Sequence, residues 1–153
     1  MMNGRDLREL LTSDIHIKRI FKGVYSRDKL PRYRMKKPSL LIVNTDHSKG
    51  PGEHWICIFV GINNVIEYWD SFGLDIYHRD IYEFVSLNSK RYTYNNIVLQ
   101  TLSSETCGLF CFYYAYKRSR GFNLRMILRD FRELRPFYND NIVMNHLRRY
   151  SSF

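Results

Sequence analysis

The stretch that decides the fold is His54-Trp-Ile-Cys-Ile-Phe-Val60, Gly61-Ile-Asn-Asn64, Val65-Ile-Glu-Tyr-Trp-Asp70. Residues 55–60 are apolar without alternation, which suits a strand at the centre of a sheet rather than at its edge. Residues 61–64 read as a turn, and residues 65–69 return beside the first strand as a hairpin. That turn brings the residue before the first strand next to the residue after the second. With strands about 4.8 Å apart, a carboxylate at Asp70 reaches an imidazole at His54. A histidine oriented by an acid is what a general base requires.

Upstream, Leu40-Leu-Ile-Val43 reads as a buried strand, residues 46–51 as a polar loop, residues 29–38 as a basic loop carrying two prolines, and residues 6–12 as a short helix. Downstream, residues 79–87 read as a helix, residues 96–100 as a fourth strand, residues 101–106 as a polar loop and residues 107–116 as a strongly apolar helix. Residues 124–134 and 141–150 read as amphipathic helices with arginines outward. Helices on both sides of a central run of strands make an α+β layout with a mostly antiparallel sheet. A length of 153 residues fits one domain over residues 1–153, and 44% apolar composition with twelve Tyr and ten Phe excludes disorder.

Other classes drop out on simple grounds. No run approaches the roughly 18 apolar residues of a membrane helix, so no membrane partner is expected. Asp6, Glu9 and Asp14 exclude a signal peptide. Three cysteines, Cys57, Cys107 and Cys111, are too few and odd in number for a disulfide scaffold, and are expected as thiols in a reducing compartment. The i, i+4 spacing of Cys107 and Cys111 lacks a second ligand pair, so no metal site is expected. The net charge of +9 is uneven. Residues 1–38 hold eleven Lys/Arg and four Asp/Glu, residues 39–116 four and eight, and residues 117–153 nine and three, giving +7, −4 and +6. Two basic flanks bracket a mildly acidic centre, which points to a polyanionic partner or to a solubility device.

The residues that carry chemistry all fall in that centre, each at the end of an element. Cys107 opens the apolar helix, where unsatisfied backbone N–H groups and the positive end of the dipole favour a thiolate, as does a nearby imidazolium. Ser103, Ser104 and Thr106 are candidate caps for the helix, and the polar loop before it leaves the Cys107 sulfur open to solvent. Cys111, one turn deeper, and Cys57 read as core. Gln100, seven residues before Cys107, supplies a side-chain N–H that with the Cys107 backbone N–H makes an oxyanion hole. Taken singly, these four have bland readings: an inert core thiol, a strand-end histidine, a turn aspartate, an uninformative glutamine. Only their conjunction carries weight. His16, His47, His78 and His146 lack a Cys, His or acid at useful spacing.

The blocks Gly52-Glu-His-Trp55, Tyr68-Trp-Asp-Ser-Phe-Gly73, Gln100 and Cys107-Gly-Leu-Phe-Cys111 resemble adenain, the adenovirus-type cysteine endopeptidase family. Phe21-Lys-Gly-Val-Tyr25 and Ile42-Val-Asn-Thr45 extend the resemblance over roughly residues 15–115. It implies a papain-like core with sites in the order His, acid, Gln, Cys. His54 is then the base and acid, Asp70 its orienter, Gln100 the oxyanion donor and Cys107 the nucleophile. It further implies limited proteolysis of viral precursor proteins at Gly-containing sites during virion maturation, in the virion and host nucleus, by a monomer that binds DNA without sequence preference. On that reading no cofactor is required and DNA is a candidate activator. The sequence departs from the family in three ways. The acid is Asp where adenain typically has Glu, as in the related SUMO-deconjugating proteases. Residues 71–106 contain no Cys, so a disulfide-linked activating peptide is not expected there. The chain is also shorter after the catalytic helix.

Two other functions compete. A ubiquitin-like or SUMO-deconjugating protease shares the site but grips its modifier through an extended surface. A non-catalytic nucleic-acid-binding protein would use Arg32, Arg34, Lys36 and Lys37 on one surface with Arg125, Arg129, Arg132 and Arg135, through phosphate contacts without groove reading.

Overall fold

In a computed structural model that describes residues 1–152, five strands form one sheet in the order of the sequence. They are β1 (Phe21–Ser26), β2 (Ser39–Asn44), β3 (Trp55–Val60), β4 (Val65–Trp69) and β5 (Arg91–Tyr94). β2, β3 and β4 are antiparallel, and β1 and β5 join as parallel edges. The apolar run read as a central strand is β3, in the middle of the sheet, and every residue of β2 and β3 is buried.

Strand alternation sends successive side chains to opposite faces. Leu40, Ile42, Trp55, Cys57, Phe59 and Trp69 pack beneath five helices: α1 (Gly4–Thr12), α2 (Ile15–Ile20), α4 (Cys107–Ser119), α5 (Leu124–Leu128) and α6 (Pro136–Ser151). Leu41, Val43, Ile56, Ile58, Ile66 and Tyr68 pack on the other face against α3 (Arg79–Asn88). The result is the α+β layout read from the sequence, with both faces of the sheet covered. Among the described residues, no helix is long and apolar enough to cross a membrane.

Trp69 anchors the larger core. Its ring stacks on Tyr114 at 5.0 Å, leans on Phe131 at 6.1 Å, and its Nε1–H donates to the Phe110 carbonyl at 3.1 Å. Trp69→Ala is expected to lower stability by about 3–5 kcal/mol, read from the midpoint of urea unfolding.

Three boundaries differ from the sequence reading. Residues 96–100 are not a strand; the fourth partner of the sheet is β5, earlier in the chain. The Leu99 and Gln100 N–H groups both donate to one carbonyl, that of Ser71, at 2.9 and 3.0 Å, which no strand ladder permits. The helix expected over 124–134 stops at Leu128, and Leu134 ends the following turn at a φ of 66° and 90% exposure. The last helix starts at Pro136 rather than Asn141, with proline in its first turn where the missing N–H costs no bond.

Candidate active site

His54 immediately precedes β3 and Asp70 immediately follows β4, and the hairpin brings them together. His54 Nε2 lies 2.7 Å from Asp70 Oδ1, with both side chains buried. The same oxygen accepts the Phe72 N–H at 2.8 Å, and the Phe72 ring stacks on the imidazole at 4.4 Å. Asp70 is also held through its backbone. The β4–β5 register ends at Tyr68 and Tyr94, and beyond it the buried Asn95 side chain takes the place of a strand. Asn95 Oδ1 accepts the Asp70 N–H at 2.9 Å, and Asn95 Nδ2 donates to the Asp70 carbonyl.

Cys107 opens α4 and faces the same ring. With His54 Nε2 engaged by Asp70, Nδ1 is the ring nitrogen not spent on the carboxylate, and Cys107 lines the same cleft as the ring. Burial disfavours the charged ring, but hydrogen bonds and charge from Asp70 and Cys107 outweigh it and raise the His54 pKa to about 9. The ring therefore keeps its proton through neutral pH, and an imidazolium stabilises a neighbouring thiolate. The sulfur is less open than the sequence reading held: Cys107 is only 3% exposed. It lies at a cleft of about 270 Å³ that is walled by Glu53, His54, Phe72, Gln100, Leu102 and Glu105, among others, so access is along the cleft alone.

Gln100 reaches this cleft from a loop instead of a strand end. Its Oε1 accepts the Ser71 hydroxyl at 2.5 Å, and its Nε2 donates to the Ser104 carbonyl at 2.9 Å. A carbonyl only accepts, so the Ser104 contact fixes which end of the amide is which. One Nε2–H remains for a ligand in the cleft. The Cys107 N–H, in the first turn of α4, has no intrahelical partner and supplies a second donor. The approach of Gln100 to Ser71 relies on Gly73, where φ is 70° and a Cβ would lie 2.4 Å from the Ile97 carbonyl oxygen.

If this constellation is catalytic, two results are expected. Gln100→Ala lowers kcat about 10²- to 10³-fold, with KM little changed, in steady-state peptide hydrolysis. The pH profile of kcat/KM is bell-shaped, and its alkaline limb lies near pH 9 instead of near the ordinary histidine value, because His54 must still carry a proton to give the leaving amine.

The expected serine and threonine caps do not cap α4. Thr106 holds the N-cap position without a side-chain capping bond, and its Oγ1 donates instead to Asp140 at 3.0 Å. Cys57 and Cys111 are buried in the core, where burial pushes both thiols up. Among the other histidines, His146 is packed against Phe112, Tyr113 and Tyr116, and burial with nearby Lys117 and Arg149 lowers its pKa to about 4. Among the described residues, no group of three or more His, Cys, Asp or Glu is placed to hold a metal ion.

The two basic sets sit on segments that pack against opposite faces of the sheet, and Lys37 and Arg125 both come near the Asn63–Asn64 turn. Arg32, Arg34 and Lys36 are exposed and Lys37 is half-buried, on a loop whose Leu30 packs with α3 and whose Met35 N–H donates to Asn88 Oδ1 at 2.8 Å. Arg125, Arg129, Arg132 and Arg135 are exposed on α5 and the turn after it, whose Leu124, Ile127 and Phe131 pack with α4.

The sequence reading missed Ser71, which bonds Gln100, Asn95, which bonds Asp70, and Asn139 and Asp140, which bond the loop between Leu99 and Thr106. All four are buried polar side chains. The only sequence signal for the last two is the polar run Asn139-Asp-Asn141 ahead of the apolar positions Ile142 and Val143.

No protein-family model matches the chain, and no curated protein does. Among solved structures, the chain is similar to the selenomethionine crystal structure of the ASFV pS273R protease, with 24% sequence identity and a TM-score of 0.43. The similarity covers 69% of this chain and 44% of that one, so this chain spans less than half of that protease's length.

Proposed function

We propose that the chain is a cysteine endopeptidase. The reading is supported above all by one observation: a buried imidazole held at 2.7 Å by Asp70 lines one cleft with Cys107 and with Gln100, whose amide spends one Nε2–H on the Ser104 carbonyl. In this mechanism the Cys107 sulfur attacks the scissile carbonyl carbon, and the developing oxyanion takes hydrogen bonds from Gln100 Nε2 and the Cys107 N–H. His54 gives its proton to the leaving nitrogen as the C–N bond breaks. A water then enters, His54 takes one of its protons, and the hydroxyl adds to the thioester carbon. Collapse of the second tetrahedral species releases the acid and returns the sulfur, with the imidazole protonated again.

The finer part of the proposal rests on the adenain-like blocks around His54, Asp70, Gln100 and Cys107. The substrates are viral precursor proteins cut at Gly-containing sites during virion maturation, in the virion and host nucleus. The cleft, with the sulfur reached along one line, fits an extended segment with small residues at the scissile bond. Nucleic acid docks without sequence preference through the basic residues of the two flanks, and its affinity falls steeply with salt.

The test is hydrolysis of Gly-containing peptides by purified protein, with and without DNA, beside Cys107→Ala. Iodoacetamide-sensitive cleavage that is lost in the variant supports the reading, and cleavage that persists in the variant overturns it. Rapid reaction with a ubiquitin- or SUMO-vinyl-sulfone probe, with precursor proteins left uncut, assigns the site to deconjugation instead.

A further inference from the structure

The segment 100–106 carries Gln100 at one end and leads into Cys107 at the other, and α6 holds both ends. Asn139, fully buried, donates from Nδ2 to the Leu99 carbonyl at 3.1 Å, just before Gln100. Its own orientation is fixed by Arg132, whose carbonyl accepts Nδ2 and whose N–H donates to Oδ1, both at 2.8 Å. Asp140, 6% exposed, accepts at Oδ1 from Thr106 Oγ1 at 3.0 Å, just before Cys107, and from the Thr101 N–H at 3.4 Å. The line continues inward. The Ser104 hydroxyl donates to the Thr101 carbonyl at 2.9 Å and lies 2.9 Å from Thr106 Oγ1, which itself gives its proton to Asp140. The Ser104 carbonyl in turn accepts Gln100 Nε2.

A carboxylate this deep in the protein is tolerated only where donors compensate its lost hydration. Both donors to Asp140 come from this loop. The helix does not need them to dock, because Val143, with Ile142 and Leu147 beside it, already packs into the core. We infer that Asn139 and Asp140 are positioning residues: through Leu99, Thr101 and Thr106 they set the geometry of the oxyanion donors, without touching substrate. The inference rests on the peptidase reading for its catalytic consequence, and on the hydrogen bonds alone for its effect on the loop.

The experiment compares wild type, Asp140→Asn, Asp140→Ala and Thr106→Val, the last removing the same link from the loop side. The readouts are peptide hydrolysis, Cys107 alkylation by iodoacetamide, and amide hydrogen exchange over residues 99–106. Positioning predicts a fall in kcat of about tenfold or more with KM little changed, alkylation within about twofold of wild type, and faster exchange at Thr101 and its neighbours. Alkylation forms no oxyanion, so it is spared. A merely structural role lowers alkylation and hydrolysis together with the melting temperature, and that result overturns the inference, as does unchanged kcat in Asp140→Asn and Thr106→Val. If wild type cleaves no peptide, the peptidase reading fails by itself, and the exchange data still decide whether Asp140 orders the loop.

Discussion

Cys107→Ala is expected to lower kcat/KM for a Gly-containing peptide by about 10⁴-fold or more, leaving no measurable acyl-enzyme. The size of the loss follows from the absence of a substitute nucleophile. Cys57 and Cys111 are sealed in the core, where burial holds them as thiols. The Ser104 hydroxyl is committed to the Thr101 carbonyl at 2.9 Å. The loss should be chemical and not structural: the change removes one sulfur at the head of α4, and Phe110, Phe112 and Tyr114 keep that helix in the core. An unchanged unfolding midpoint beside abolished hydrolysis, with no alkylation at this position by iodoacetamide, is the expected set of results. Full activity in the variant removes the nucleophile from the proposal altogether.

His54→Ala is expected to cost about 10³-fold or more in kcat, through loss of both proton transfers. It has a second consequence that the cysteine variant lacks. Asp70, 1% exposed, loses the imidazole that bonds its Oδ1, and a buried acid without its partner destabilises the hairpin end. His54→Gln keeps a donor for Asp70 and so separates the two effects: turnover remains lost while the unfolding midpoint recovers. In either variant the Cys107 sulfur loses its imidazolium neighbour, so alkylation at neutral pH slows. An alkylation rate that ignores His54 breaks the pairing on which the mechanism depends.

The central hairpin was legible because a strand buried on both faces leaves an unbroken apolar run, as residues 55–60 do, and because the turn arithmetic then fixes what stands at its open end. The edge strands were not. β1 carries Lys22, Gly23 and Ser26, and β5 is Arg-Tyr-Thr-Tyr with alternate residues exposed, so neither forms an apolar run. The opposite error arose at residues 96–100, where Ile97, Val98 and Leu99 resemble a strand. Val98 is 49% exposed, and the backbone hangs from a single carbonyl. The same division runs through the site. His54, Asp70 and Cys107 mark ends of elements, and ends can be located from pattern; Gln100 sits in a loop and was placed through a strand that does not form. Ser71, Asn95, Asn139 and Asp140 act through distant backbone groups, so no local spacing points to them.

The place of Asp140 in the chain gives the molecule a clock. The hairpin bearing His54 and Asp70 is made first, then Cys107, and Asn139 and Asp140 only some thirty residues later. At about 5–20 residues per second, a growing chain holds its nucleophile for a few seconds before the helix that disciplines the neighbouring loop exists. A chain interrupted in that interval carries a reactive sulfur but a slack oxyanion site. On the peptidase reading, catalytic competence then arrives only with the late part of the chain.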